Sequence, residues 1–305
     1  MRLAFAGTPE VAIPSLTALL DAGHELVAVI TRPDAPAGRG RVLTPSPVAE
    51  FAAAHGLHVL KPAKVIEITE VLTALAPQCV AVVAYGGLIP VSLLELPQHG
   101  WINLHFSLLP AWRGAAPVQH AIMAGDDVTG ATTFRLEAGL DTGPVFGTIT
   151  RAIDARDTAG RLLQELAHDG ANLLAQTIAA IETLVPRAQP AAGVSLAPKL
   201  EKADARIVWH NPALVVDRLI RGCTPEPGAW SETGGQRLAI EPVTPRPDVR
   251  DLLPGEIRSH ERSVLVGTGS YAVELSRVKP AGKSWMEADA WWRGLREQQG
   301  FVDAG

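Results

Sequence analysis

Cys79-Val80-Ala81-Val82-Val83-Ala84 is apolar on both of the faces a strand would present, with no charge to turn toward water. A strand of that kind must be covered on both sides, and a parallel sheet sandwiched between helices does this. The neighbouring segments agree. Leu3–Ala6 is a short apolar run stopped at Gly7, and Pro9 then opens a helical stretch carrying Val11, Leu16, Leu19 and Leu20 as far as Gly23. Leu26–Ile30 reads as a second strand. Helices are predicted over about 47–55 and 66–75, with a short strand at Val59-Leu60 between them. Trp101–His105 and Gly130–Leu136 read as strands around a helix at 115–123, and 145–153 alternates as the partner of a hairpin. The strongest helical period runs over 157–185, through Leu162, Leu166, Leu173, Leu174, Ile178, Ile181 and Leu184. Alternating strands and helices predict an α/β domain whose ligands bind at the carboxyl edge of its sheet.

After this the texture changes. Pro186, Pro190, Gly193 and Pro198 punctuate a linker. Beyond it come one helix at 212–221 and short apolar runs at 238–243, 255–258, 263–266 and 272–278, the pattern of a small barrel. The expected organisation is an N-terminal catalytic domain at 1–188, a linker at 189–204 and a smaller β-barrel domain at 205–305. At 305 residues the chain is long enough for both cores.

The formal net charge is -5 and neither part is basic overall, so a nucleic-acid partner has to be held by local patches. Two widely separated cysteines without a C-x-x-C pair argue against a disulfide framework and against a metal site, and fit a reducing, cytoplasmic setting. The opening apolar run is broken too early, by Thr8-Pro9, for a signal peptide, and no apolar stretch is long enough for a membrane span. The expected state is a monomer with no membrane partner.

Two segments carry chemistry. In Asn103-Leu104-His105 the polar residues are two apart on a strand, so they share a face near its end. A carboxamide offers an N–H to a developing oxyanion, and an imidazole moves a proton near neutral pH. In Gly139-Leu140-Asp141-Thr142-Gly143 the glycine-flanked Asp141 suits a turn that approaches another loop; beside His105 it would orient the ring and favour its charged form. Taken singly, an Asn-x-His pair is more often structural and a glycine-flanked aspartate more often a turn residue. The other eight histidines lack such company and read as structural or solvated. The stretch 31–47 is a long Gly- and Pro-rich loop with Arg32, Arg39 and Arg41 against Asp34; by composition alone it is a solvated loop. Arg277, Lys279 and Lys283 precede Trp285, with Trp291 and Trp292 beyond, either a rim over a small core or a surface that holds a nucleic-acid backbone.

Asn-x-His-x-Ser-Leu-Leu-Pro at 103–110 followed by Gly-Leu-Asp-Thr-Gly at 139–143 resembles the folate-dependent formyltransferases. The resemblance extends to Phe5–Glu10, Pro36–Gly40, Val82–Gly86, Trp112–Pro117, Lys199-Leu200 and Ala205–Trp209, and with the arginine loop it points to the branch that acts on aminoacylated tRNA. It implies a Rossmann-like, mostly parallel catalytic domain and an OB-like second domain that holds tRNA. It implies transfer of a formyl group from 10-formyltetrahydrofolate, as co-substrate, to the α-amino group of methionine on initiator Met-tRNA, with no metal. By the same resemblance Asn103, His105 and Asp141 are catalytic. Tyr85, Gly86, Leu88, Ser107, Leu108, Leu109 and Pro110 would bind folate. Arg32, Arg39, Arg41, Lys279 and Lys283 would bind tRNA, with Arg39 the leading contact. A formyltransferase acting on nucleotide amino sugars is the near alternative. A nicotinamide dehydrogenase is the distant one, weakened because Gly7-Thr8-Pro9-Glu10 is not G-x-G-x-x-G.

Overall fold

A computed structural model describes residues 1–38, 40–295 and 300–301. The chain forms two compact units. The first comprises Met1–Pro117, Val128–Ala152 and Leu163–Pro198; the second comprises Val118–Asp127, Ile153–Leu162 and Lys199–Gly305.

The strands of the first unit are β1 (Arg2–Gly7), β2 (Glu25–Ile30), β3 (Ala35–Ala37), β4 (Val42–Thr44), β5 (Val59–Leu60), β6 (Cys79–Val83), β7 (Trp101–His105), β8 (Val128–Arg135) and β9 (Val145–Ala152). The helices along this part of the chain are α1 (Ile13–Asp21), α2 (Pro47–Ala54), α3 (Thr69–Leu75), α4 (Val91–Leu94), α5 (Pro117–Ala124) and α6 (Ala159–Ala179). One seven-stranded sheet runs β5-β2-β1-β6-β7-β8-β9. Its first five strands pair in parallel, and β8 and β9 close it as an antiparallel hairpin. Every residue of β6 is buried, as its composition requires. The chain leaves β1 toward β2 on one side and returns to β6 on the other, so the carboxyl ends of β1 and β6 flank a topological switch point.

Local chemistry explains most boundaries. Ser46 caps α2, its hydroxyl accepting from Ala49 N–H at 3.1 Å, with Pro47 at the first helical position. Trp101 begins β7 fully buried, and its indole N–H donates to Leu93 O at 2.6 Å. Two expectations are amended. The 31–47 loop contains a two-stranded ladder, β3 with β4, which a proline-rich composition hides. The long helix α6 stops at Ala179 and not at 185, and Leu184 is left partly exposed.

The strands of the second unit are β10 (Trp230–Thr233), β11 (Gln236–Ile240), β12 (Thr244–Arg246), β13 (Ile257–His260), β14 (Ser263–Val266), β15 (Ala272–Leu275), β16 (Arg277–Pro280) and β17 (Met286–Glu287), and its C-terminal helices are α7 (Ala213–Gly222) and α8 (Ala288–Arg293). They form two antiparallel sheets, β10-β11-β16-β17 and β12-β15-β14-β13. The expected single strand at 272–278 is two strands. It breaks at Ser276, whose hydroxyl donates to Pro242 O at 2.8 Å, and the chain passes there from one sheet to the other. Trp209, Trp230, Trp291, Trp292 and Phe301 pack into one core with Ile220, Val264 and Val278.

Candidate active site

Asn103 and His105 lie on β7, in register with Val82 of β6 and Thr132 of β8. Their carboxyl-end position brings them beside the loop that follows β6, and Thr8 Oγ1 ties that loop to the end of β1 by donating to Tyr85 O at 2.9 Å. His105 is 6% exposed, and the ring of Phe134 meets it edge-on at 6.3 Å. His105 Nε2 lies 2.8 Å from Trp112 O. A carbonyl oxygen can only accept, so the ring proton is assigned to Nε2 and the lone pair of the neutral imidazole sits on Nδ1.

That lone pair faces Asp141, with Nδ1 to Oδ2 at 3.8 Å. The distance is too long for a hydrogen bond. The same oxygen accepts the backbone N–H of Gly114 at 2.8 Å. Asp141 therefore orients the ring less than Trp112 does, which amends the role its turn suggested. Burial pushes the His105 pKa below its ordinary value, while the Asp141 charge and the Trp112 carbonyl pull it upward. The imidazole is thus held neutral, its acceptor nitrogen aimed at a carboxylate that stabilises the proton once it arrives.

The Asn103 side chain is half-buried and has no recorded hydrogen-bond partner among the described residues. Three residues of the loops that carry or flank the site adopt left-handed backbone: Ala84 (φ 47°), Trp112 (φ 60°) and Asp141 (φ 49°). Non-glycine residues pay for that conformation, and such strain gathers where side chains must be aimed.

A cavity of 520 Å³ opens here, lined by Ala84–Ile89, Asn103–Phe106, Gly114 and Ala115, and by Leu136, Leu140 and Asp141. It falls in the size range of small-molecule sites. Leu88, 96% exposed, and Leu140, 60% exposed, both line the cavity, so two large apolar side chains stand in solvent where a flat ligand would cover them. Tyr85 lines it with a buried ring, and Gly87 gives that ring room because a Cβ there would strike it at 2.6 Å.

Ser107, Leu108, Leu109 and Pro110 are not on the cavity wall. Ser107 is buried and its hydroxyl donates to Ala111 O at 2.6 Å, while Leu109 N–H donates to Thr132 Oγ1 at 3.2 Å. The turn's polar groups are spent on Ala111 and on Thr132 of β8, so they are not offered to the cavity. The sequence motif names this turn but not the direction its side chains take.

A family model described as formyl transferase matches residues 1–178, and one described as formyl transferase, C-terminal domain, matches 199–296. The chain belongs to the formyltransferase family. It is 62% identical to the methionyl-tRNA formyltransferase of Pseudarthrobacter chlorophenolicus over 99% of both chains. It is 56% identical to that of Streptomyces coelicolor over 98% of both. Among solved structures it is similar to the N-formyltransferase of Helicobacter canadensis in complex with folinic acid and dTDP-3-aminofucose, with a TM-score of 0.69, 18% identity and coverage of 90% of this chain and 98% of that one. That likeness is one of fold.

The basic residues are dispersed. Arg39 lies outside the described residues. Arg41 is exposed after β3, with a left-handed backbone at φ 48°. Arg32 is anchored, its Nη1 donating to Ala63 O at 3.0 Å. Lys279 on β16 and Lys283 beyond it are exposed without a recorded carboxylate partner among the described residues, whereas Arg277 is paired with Glu241 at 3.3 Å. Trp291 and Trp292 are core residues, which removes them as stacking surfaces for a nucleic acid. No group of three or more His, Cys, Asp or Glu among the described residues is arranged to hold a metal, and no helix among them is long and apolar enough to cross a membrane.

One contributor went unseen in the sequence. Gln189, in the stretch read as linker, bonds to Arg113 and to the backbone of the Asp141 turn. A glutamine among prolines carries no motif that would mark it.

Proposed function

We propose that this chain transfers the formyl group of 10-formyltetrahydrofolate to the α-amino group of methionine on initiator Met-tRNA, giving N-formylmethionyl-tRNA for translation initiation, and that it does so in the cytoplasm. The high identity over both units to proteins named for this transfer carries the reading. The cavity supports it: an apolar, partly open wall suits a pterin, and a carboxamide without a partner among the described residues stands beside a neutral imidazole.

The chemistry follows from the atoms. An α-amino group titrates near pH ~8, so a neutral fraction is present to attack the formyl carbon. As the carbonyl oxygen gains charge, the Asn103 N–H stabilises it. His105 Nδ1 takes the proton that the nitrogen sheds on bonding. Two unit charges ~4 Å apart attract by about 4 kcal/mol at an effective dielectric of 20, so the Asp141 carboxylate eases the forming imidazolium, although burial outweighs it and keeps the resting ring neutral. His105 then returns the proton to N10 as the C–N10 bond breaks, and tetrahydrofolate leaves. Because the Nε2 proton is committed to Trp112, His105 works through Nδ1 alone, first as base and then as acid.

Arg39, Arg41, Lys279 and Lys283 are proposed to hold the tRNA backbone through charge, with Arg32 in a supporting place. Labelled formyl transfer to initiator Met-tRNA, compared with elongator Met-tRNA and with a nucleotide amino sugar, tests the function. Transfer to the sugar alone would refute it. In the same assay Lys279→Glu with Lys283→Glu should raise KM for tRNA and leave KM for folate unchanged.

Leu88 separates binding from folding. Leu88→Glu changes an exposed side chain, so stability should move by no more than about 0.5 kcal/mol. Covering a leucine is worth roughly 1.5–3 kcal/mol, so KM for the folate should rise on the order of tenfold or more. An unchanged KM would remove Leu88 from the folate wall.

A further inference from the structure

The segment that follows α6 does more than join two units. Arg187 bridges to Val145 at the start of β9, its N–H donating to Val145 O at 2.8 Å and its carbonyl accepting from Val145 N–H at 2.7 Å. Leu196 bridges in parallel to Arg113. Ser195 Oγ accepts from Trp112 N–H at 2.8 Å, Ser195 O accepts from Arg113 N–H at 2.9 Å, and Ala197 N–H donates to Arg113 O at 2.7 Å. Residues 187–197 are a strap laid across the two loops that aim the site.

Gln189 stands where the strap meets both loops. Its Oε1 accepts from Arg113 Nε at 3.2 Å and Nη2 at 2.6 Å. Its Nε2 donates to Asp141 O at 2.7 Å and to Gly143 O at 2.8 Å. One neutral side chain thus offers an acceptor to the loop whose Trp112 carbonyl holds His105, and two donors to the turn that carries Asp141. Only a carboxamide has that inventory, and a glutamine supplies the reach.

We propose that Gln189 is a positioning residue for formyl transfer, holding the left-handed Asp141 turn against the Trp112–Gly114 loop so that the Asp141 carboxylate faces His105 Nδ1. The proposal rests on the function given above. Asp141 needs such a tether. Its backbone lies in the left-handed region, which most side chains avoid and an aspartate adopts only singly, and among the described residues one hydrogen bond, from Gly114 N–H to Oδ2, fixes its carboxylate. The two bonds from Gln189 bracket Thr142 and remove the turn's freedom to swing. The charged groups recorded about this junction are Asp141, which faces His105, Arg113, which faces Gln189, Arg187, whose backbone pairs with Val145, and Glu137, whose side chain approaches Gly143.

The test uses the full-length protein. Gln189→Met keeps length and neutrality and loses all four bonds. It should lower kcat on the order of tenfold while both KM values stay within about twofold, since the loss falls on the chemical step. In a nuclear magnetic resonance titration of the free enzyme, the His105 pKa should fall further below wild type, because the carboxylate that raises it is no longer held in place. If Gln189 acts through Asp141, adding Gln189→Met to Asp141→Asn should cost less than about twofold more. Should Gln189→Met fail to fold, Gln189→Glu keeps the Arg113 side, loses both donations, and should lose kcat in the same way.

Wild-type kcat in the variant that folds, or full multiplicative losses in the double variant, would overturn the proposal. So would a kcat loss that disappears below the melting transition. If the wild type itself formed no formylmethionyl-tRNA, the proposed function would fall, while the His105 titration would still report whether Gln189 holds the turn.

Discussion

His105→Ala is expected to lower kcat by ~10²–10⁴, the usual worth of a placed acid–base group. The imidazole is the side chain in the cavity that is held neutral with an unshared nitrogen lone pair and a carboxylate opposite it. Removing it leaves the proton of the attacking amine without an acceptor and N10 without a donor. Single-turnover measurements, with enzyme in excess, should show the loss in the chemical step and little change in folate binding. Below the limb that protonation of the substrate amine sets near pH ~8, the buried His105 should add a second acid limb to kcat on the acid side of the ordinary imidazole value, where Nδ1 becomes protonated before the amine arrives. In His105→Gln that acid limb should vanish along with most of the rate. A variant retaining wild-type turnover, or a second acid limb that survives the substitution, would end the assignment. Alanine here also leaves the Trp112 carbonyl without its donor, so a stability loss of about 1–3 kcal/mol should accompany it.

Asn103→Ala should cost ~10²–10³ in kcat, the loss that follows removal of one oxyanion donor. The side chain is half-buried and has no recorded partner among the described residues, so its deletion orphans nothing, and stability should change by about 0.5 kcal/mol or less. That contrast separates the two residues: one substitution damages rate and fold together, the other damages rate alone. Asn103→Asp should be at least as harmful as alanine, because a carboxylate facing a forming oxyanion repels it. Equal rates for Asn103→Ala and wild type, measured under single turnover, would show that the oxygen is stabilised elsewhere.

The sequence by itself determined the sheet, because an apolar run such as Cys79–Val83 has no stable place except between two covering layers. It also determined that Asn103 and His105 share a face, since strand periodicity leaves no other arrangement. Which nitrogen of His105 carries the proton was not legible. That depends on the Trp112 carbonyl, brought to 2.8 Å by a loop whose left-handed residue the sequence does not announce. The turn at 107–110 was legible as part of the motif, yet its burial was not, because hydrogen bonds to Thr132 on a separate strand consume its polar groups. Gln189 shows the limit most clearly. Its four hydrogen bonds reach three residues 46 to 76 positions away, and only tertiary packing decides which donors and acceptors a flexible side chain meets. Periodicity reports which way a residue faces along its own element. What lies opposite is set by loops, whose path depends on long-range contacts that no local pattern encodes.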